Sequence, residues 1–221
     1  MTIQHHPDDS MLSAFAAGTL DLGQHVAIAT HLASCPRCRG WIRTMEEVGG
    51  SVLTGLPPTA MSSGSLEQIE ARLDVPVKPK TNGAEPDVAD LAIADLAIVG
   101  LPEFVRRYWF GRWQWIAPRV HLRPITLPVP SKTRVFLLRS GPGTRMLEHS
   151  HTGIEMTCVL KGVFSHEGGH FGPGDFDLGD ETVNHRPVVD AREECVCLVA
   201  MVGDLRLSGL IGRIVQPFVR L

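Results

Sequence analysis

Two clusters of metal-ligating residues divide this chain between them, and they differ in chemistry. His31-x3-Cys35-x2-Cys38 is sulfur-rich, with His5 and His6 near the N-terminus as further donors. His149-x-His151-x3-Glu155, with His185 downstream, offers only nitrogen and oxygen. Thiolate-rich sets suit a closed structural zinc site, whereas imidazole and carboxylate sets suit a divalent metal with a position left open. A chain carrying one of each must fold around two separate ligand frames. That points to a binding module joined either to a sensor or to an enzyme.

The 221 residues fit one large domain or two small ones, and a hydrophobic content of 43% is enough for a packed core. A net charge of -3 gives no bulk reason for direct nucleic-acid binding. The acidic excess is confined to residues 1–85, with nine Asp/Glu against six Lys/Arg, while residues 86–221 hold fifteen of each. A basic partner would therefore prefer the N-terminal part. The first residues have no signal-peptide pattern, and the longest apolar run, Leu91–Leu101, is broken by Asp95 and too short to span a bilayer. Five cysteines at these spacings suit metal ligation better than a disulfide framework. A cytoplasmic protein of a reducing compartment, with no membrane contact, is expected.

The N-terminal part reads as helical. Residues 7–17 form a short helix with Pro7 at its start, Asp8 and Asp9 in its first turn, Leu12 and Phe15 inward and Gly18 at its end. A second helix runs from Asp21 to Ser34 on Val26, Ile28 and Leu32. Pro36 cannot continue it but can open a third, which Gly49-Gly50 should stop after Val48. After a Pro/Gly/Ser-rich stretch, Ser65-Leu66-Glu67-Gln68 reads as a capping box for a fourth helix with Leu66, Ile69 and Leu73 on one side. Residues 75–90 carry Pro76, Pro79, Asn82-Gly83 and Pro86 and read as a linker. Phe104–Trp115 reads as a connecting helix. Beyond about residue 120, β-branched and apolar runs between Gly-rich turns predict many short strands. The fold class is α+β and multidomain: a helical bundle over 1–75, a linker over 76–100 and a β-barrel over 101–221.

On a helix His31 and Cys35 share a face, and Cys35-Pro-Arg-Cys38 spans the turn where two sulfurs can converge. A tetrahedral zinc needs a fourth ligand; His6 is the best placed, with His5 its rival, while His25 falls on the wrong face. Three helices of about 45 residues make a marginal core, which a metal would support. His6 followed by His31-x3-Cys35-x2-Cys38 resembles the zinc-binding anti-sigma domain of bacteria, over roughly residues 1–75. That resemblance implies zinc held by His6, His31, Cys35 and Cys38, and three helices plus a separate fourth that grip an extracytoplasmic-function sigma factor.

Gly143-x5-His149-x-His151-x3-Glu155-x6-Gly162 matches the first cupin motif. On a strand His149 and His151 point to one face, and Glu155 returns after a turn at Gly153. The second cupin motif is looser: Gly174-Asp175 leads to His185, with Asp180-Glu181-Thr182 where proline and glycine are usual. The implied fold is a cupin jelly roll whose ligands His149, His151, Glu155 and His185 hold a divalent metal, zinc being the expected one. His121, His166 and His170 read as solvated loop residues and Cys158 as core. Cys195-x-Cys197 reads as two small core side chains, with redox-sensitive thiols as the other possibility.

The whole arrangement resembles the ChrR-type family of soluble zinc anti-sigma factors. What it implies is inhibition of a group IV sigma factor until singlet oxygen or an organic peroxide is sensed, with no enzymatic activity. A cupin dioxygenase or isomerase with an accessory zinc domain is the alternative.

Overall fold

The computed structural model describes residues 2–73, 75 and 100–208. Apart from Gly100, the expected linker over 76–100 lies outside these residues, as does the repeated Asp-Leu-Ala-Ile at 90–98. Four α-helices lead: α1 (Asp9–Ala16), α2 (Leu22–Ser34), α3 (Pro36–Thr54) and α4 (Ser65–Leu73). Each start has a local cause. The Asp8 carboxylate accepts from Met11 N at 2.8 Å, so Asp8 caps α1 and Pro7 lies before the helix. Asp21 and Gln24 form a reciprocal capping box at α2. Cys35 caps α3, with Pro36 in the first turn, where its missing N–H costs nothing.

Two helix expectations need correction. Gly49-Gly50 does not stop α3, which continues to Thr54. Glycine lowers helix propensity by only about 1 kcal/mol each and does not block the backbone hydrogen bonds. The capping box at Ser65 does not form: Ser65 lies inside the first turn of α4, and its hydroxyl bonds to Ser62 O and Ser62 Oγ.

The expected connecting helix over Phe104–Trp115 is also replaced. A short 3-10 turn, Val105–Arg107, leads into β1 (Trp109–Phe110) and β2 (Gln114–Ala117), both paired with β3 (Val120–Thr126). Aromatic residues favour strands when a partner edge is available, and tertiary pairing decided here. Next come β4 (Arg134–Ser140), β5 (His149–His151), β6 (Glu155–Lys161), β7 (Phe164–His166) and β8 (Gly169–Phe171). The last are β9 (Phe176–Gly179), β10 (Val188–Val189), β11 (Cys195–Met201) and β12 (Leu205–Leu207). The large antiparallel sheet runs β1-β3-β4-β11-β6-β9, with β2 on β3; β10-β7-β8 and β12-β5 form two smaller sheets.

β11 explains the layering. All seven of its residues are buried, which is why it reads as an unbroken apolar run. Val196, Leu198 and Ala200 join a core with Leu12, Val26, Ile28, Leu32 and Ile42 of the helices. Cys195, Cys197, Val199 and Met201 face the other way, into a second core with Phe164, Phe171 and Val189 of the three-stranded sheet. α2 thus covers the outer face of the large sheet, with α1 and α3 packed behind it, and burying each aliphatic side chain there contributes roughly 1.5–3 kcal/mol. Asp21 reinforces this junction. Burial alone would raise its carboxyl, but hydrogen bonds from Ser131 and from the Gly23 and Lys132 amides bring it down to about 2. No helix among the described residues is long and apolar enough to cross a membrane.

Candidate metal centres

The first cluster gathers donors from three places. His6 sits on the N-terminal segment, His31 in the last turn of α2, Cys35 between α2 and α3, and Cys38 in the first turn of α3. His6 Nδ1 lies 3.4 Å from both the Cys35 and Cys38 sulfurs. It is 3.5 Å from His31 Nε2, which is 3.3 Å from Cys38 Sγ. Donors around a tetrahedral zinc stand roughly 3.3–3.8 Å apart, given metal–ligand lengths of about 2.0–2.3 Å. The four donors therefore fit zinc in spacing and in type. His5 is not among them; its ring packs on Phe171 at 4.2 Å. His25 stacks on Phe15 at 4.1 Å.

The electrostatics suit a cation. Burial pushes the Cys38 thiol up to about 12, with the neighbouring Cys35 adding to the shift. Burial also holds His31 neutral, down to about 4. Forming a thiolate there requires a positive charge held against the sulfur. His31 is pre-set for ligation, because its Nδ1 donates to Gly174 O at 2.8 Å and leaves Nε2 free. That carbonyl belongs to the β-domain. The same turn fixes the N-terminal segment: Asp175 Oδ1 accepts from Gln4 N at 2.7 Å and His5 N at 2.9 Å, and Phe176 N donates to His5 O at 3.1 Å.

The second cluster is buried between the sheets. His149 and His151 point inward from β5, and His185 pairs with His149 through two backbone hydrogen bonds of 3.1 and 3.0 Å. His185 Nε2 is 3.0 Å from His149 Nε2 and 3.4 Å from His151 Nε2. The His149 Nδ1 donates to Leu147 O at 2.7 Å, which directs Nε2 to the cluster. Glu155, at the start of β6, stands just outside the triad, with Oε2 3.8 Å from His151 Nε2. Burial raises its carboxyl, and Thr157 donates to its other oxygen at 3.1 Å. Burial, then the neighbouring His149 and His166, bring His185 down to about 4. Neutral imidazoles with converging Nε2 atoms fit a divalent metal, which would supply a Lewis-acidic centre there.

Not all histidines fall where the sequence placed them. His166 is not a solvated loop residue: it lies on β7, and its Nε2 donates to Asp177 at 2.9 Å while its Nδ1 accepts from Gly168 N. Its ring stands 5.1 Å from that of His185. His121 lies half-buried on β3 rather than in a loop, and His170 is exposed on β8. Asp177 was not singled out at all. Gly179 ends the same strand, where a Cβ would come within 3.2 Å of His151. Cys158 is buried on β6, its thiol pushed by burial up to about 12. The Cys195 and Cys197 sulfurs lie 3.7 Å apart as free thiols and face the second cluster's cavity.

Comparison with known proteins follows this division. Residues 9–39, which include three of the four first-cluster donors, match a putative zinc-finger family. Residues 109–203 match the ChrR cupin-like domain family. Over 222 aligned positions, covering all of both chains, the sequence is 36% identical to the anti-sigma-E factor ChrR of Cereibacter sphaeroides. The chain belongs to the ChrR family. It is also similar to the solved structure of Rhodobacter sphaeroides SigE in complex with the anti-sigma ChrR, with a TM-score of 0.72 and 33% identity. That match covers 90% of this chain and 99% of the other. The full-length relative is by name an anti-sigma factor, a regulator, and the family matched over residues 109–203 has the cupin-like fold that the second motif implied.

Proposed function

We propose that this chain is an anti-sigma factor: its helices hold an extracytoplasmic-function sigma factor, and its cupin half governs release. Zinc on His6, His31, Cys35 and Cys38 maintains the helical half. A divalent metal, expected to be zinc, on His149, His151, Glu155 and His185 serves the sensing half. The signal is oxidative, singlet oxygen or an organic peroxide, and the setting is the cytoplasm. The observation that carries the partner reading is an unburied apolar face. Val52 and Leu53 at the end of α3, Leu56 just beyond it, and Leu66, Ile69 and Leu73 of α4 are 53–76% exposed. A run of large apolar side chains along the end of α3 and on α4, left exposed among the described residues, is what a partner surface requires.

Replacing Leu66 and Ile69 together by aspartate should weaken sigma-factor binding by about 100-fold or more, while changing stability by less than about 0.5 kcal/mol. Titration calorimetry with the purified sigma factor measures the first and thermal unfolding the second. Unchanged affinity would remove α4 from the interface.

The division of labour has its own test. Replacing His149 and His151 by alanine should remove the cupin metal but leave inhibition of sigma-dependent transcription intact. The response to oxidant should then be lost. An unchanged response would exclude this cluster from sensing, and substrate turnover by the metal-loaded chain would favour a dioxygenase or isomerase instead.

A further inference from the structure

Among the described residues, four sulfurs line the cavity beside the second cluster: those of Met146, Cys195, Cys197 and Met201. None of them belongs to either ligand set. The cavity reaches solvent past Trp115 and Leu147, which are 66% and 40% exposed. Met146 is half-buried, whereas Met201, the last residue of β11, is 1% exposed. Met201 pairs with Glu155 across β11 and β6, so both side chains leave the sheet on one face, with Cβ atoms roughly 4.5–5.5 Å apart. Met156, the next residue of β6, is equally buried at 1% exposure, but it faces the helices and does not line the cavity.

The two thiols are poorly set to react. A thiol must ionise to become a good nucleophile, and the contact with Cys195, together with burial, pushes the Cys197 thiol well above its usual range. Their sulfurs stand 3.7 Å apart. Alternate residues of a strand are about 6.4–6.8 Å apart at Cα, near the upper limit for a disulfide. A thioether needs no ionisation, because its lone pair is available at any pH. The surroundings of Met201 also give its oxidation a consequence. Val202 N, next in the chain, donates to Ile154 O at 2.9 Å, and a Cβ on Gly153 would lie 2.5 Å from Val202 O. Met201 therefore adjoins the turn between His151 and Glu155. On the opposite face of β11, Leu198 and Ala200 share a core with Val26 and Ile28 of α2.

We propose that Met201 is an oxidation site, its thioether taking one oxygen atom from an organic hydroperoxide that enters beside the second cluster. The sulfur attacks the terminal peroxide oxygen, and an S–O bond forms as the O–O bond breaks. The proton of the hydroperoxide passes to the departing alkoxide. The products are methionine sulfoxide and an alcohol: the sulfide loses two electrons and the peroxide gains them. A sulfoxide is polar, and burying it in a packed core is disruptive. At this position it displaces the end of β11 and the turn that sets Glu155 beside His151. That the signal is oxidative is taken from the function proposed above; the geometry adds the reacting atom.

The test exposes the full-length, zinc-loaded chain to cumene hydroperoxide. Peptide mapping by mass spectrometry follows the modification, and sigma-dependent transcription follows inhibition separately. Met201 should gain one oxygen at least about tenfold faster than the equally buried Met156, and before Cys195 or Cys197 changes. Met201→Leu keeps the volume and the apolar character, so it should fold and inhibit as before. Its loss of inhibition under hydroperoxide should be slower by about tenfold or more. Equal rates at Met156 and Met201 would trace the oxidation to unfolding and overturn the assignment, as would oxidised thiols beside an intact Met201. A Met201→Leu chain that loses inhibition at the unsubstituted rate would overturn the part Met201 plays in sensing. Met201 sulfoxide formed without loss of inhibition would instead sink the sensing function of the cupin half and leave the modification site established.

Discussion

Removing zinc from the first cluster, or replacing Cys38 by serine, should melt α3 and abolish the grip on a sigma factor while leaving the β-domain folded. The reason is how little else holds α3. Of its 19 residues only Cys38 and Ile42 are buried. One of those two is a donor of the first cluster, and Cys35, the other sulfur, caps the helix with its Sγ accepting from Cys38 N. Structural zinc supplies about 10–16 kcal/mol of apparent binding free energy in isolated fingers, an upper bound here because α2 is also packed on the sheet. Even a fraction of that exceeds what Ile42 alone contributes, about 1.5–3 kcal/mol. Chelation should therefore speed amide exchange over residues 36–54 by at least about 100-fold. Residues 22–34 should keep most of their protection, since Val26 and Ile28 share a core with β11. Sigma-factor affinity should fall in parallel, because the apolar end of α3 loses its scaffold. Exchange in 36–54 that is indifferent to chelator would show that the metal is not what orders this helix. His25→Ala should leave zinc content and exchange unchanged, because that ring stacks on Phe15 outside the cluster.

The two ligand sets were legible because metal ligation imposes spacing. His31 and Cys35 share a helix face and His149 and His151 share a strand face, and both periodicities follow from backbone geometry alone. The unbroken run Cys195–Met201 was equally legible as a strand. That it is buried on both faces was not, because burial on the helix side depends on where α2 lands. His166 and Asp177 were missed for a related reason. They sit eleven residues apart on β7 and β9, strands of different sheets, and only tertiary packing brings their side chains together. The Gly168-Gly169 hairpin was a usable signal: it pairs His166 with Gly169 and so makes His166 a strand residue. The polar supports of the zinc cluster were least accessible. Gly174 O is a backbone carbonyl 143 residues from His31, and no residue type announces it. Local punctuation also misled. Gly49-Gly50 and Ser65 carry the right residues for a stop and a cap, but each signal is worth only about 1 kcal/mol and yields to its surroundings.

Replacing Asp175 by alanine should loosen the zinc cluster although Asp175 touches no metal donor through its side chain. This carboxylate is 6% exposed and accepts three backbone amides: Gln4 N and His5 N on one oxygen and Gly172 N, at 2.8 Å, on the other. Hydrogen bonds to an ionised acceptor are stronger than neutral ones, at about 1.5–3 kcal/mol each, and alanine would leave all three donors unmet. The bonds do not add in full, because the freed N-terminal segment can turn its amides to water; a loss of about 3–5 kcal/mol is expected. The segment so freed carries His6. The turn so loosened carries the Gly174 carbonyl that orients His31, and loss of such a support typically costs 10- to 100-fold in metal affinity. Zinc should accordingly leave the first cluster about 10- to 100-fold more readily in Asp175→Ala, measured by competition with a chromogenic chelator. Asp175→Asn keeps one acceptor oxygen and should fall between. The same strand continues to Asp177, which holds His166, and to Gly179, whose backbone lies under His151 and His185. A displacement of β9 would therefore be felt at both clusters, so zinc affinity within twofold of the unsubstituted chain in Asp175→Ala would rule this strand out as the physical link between them.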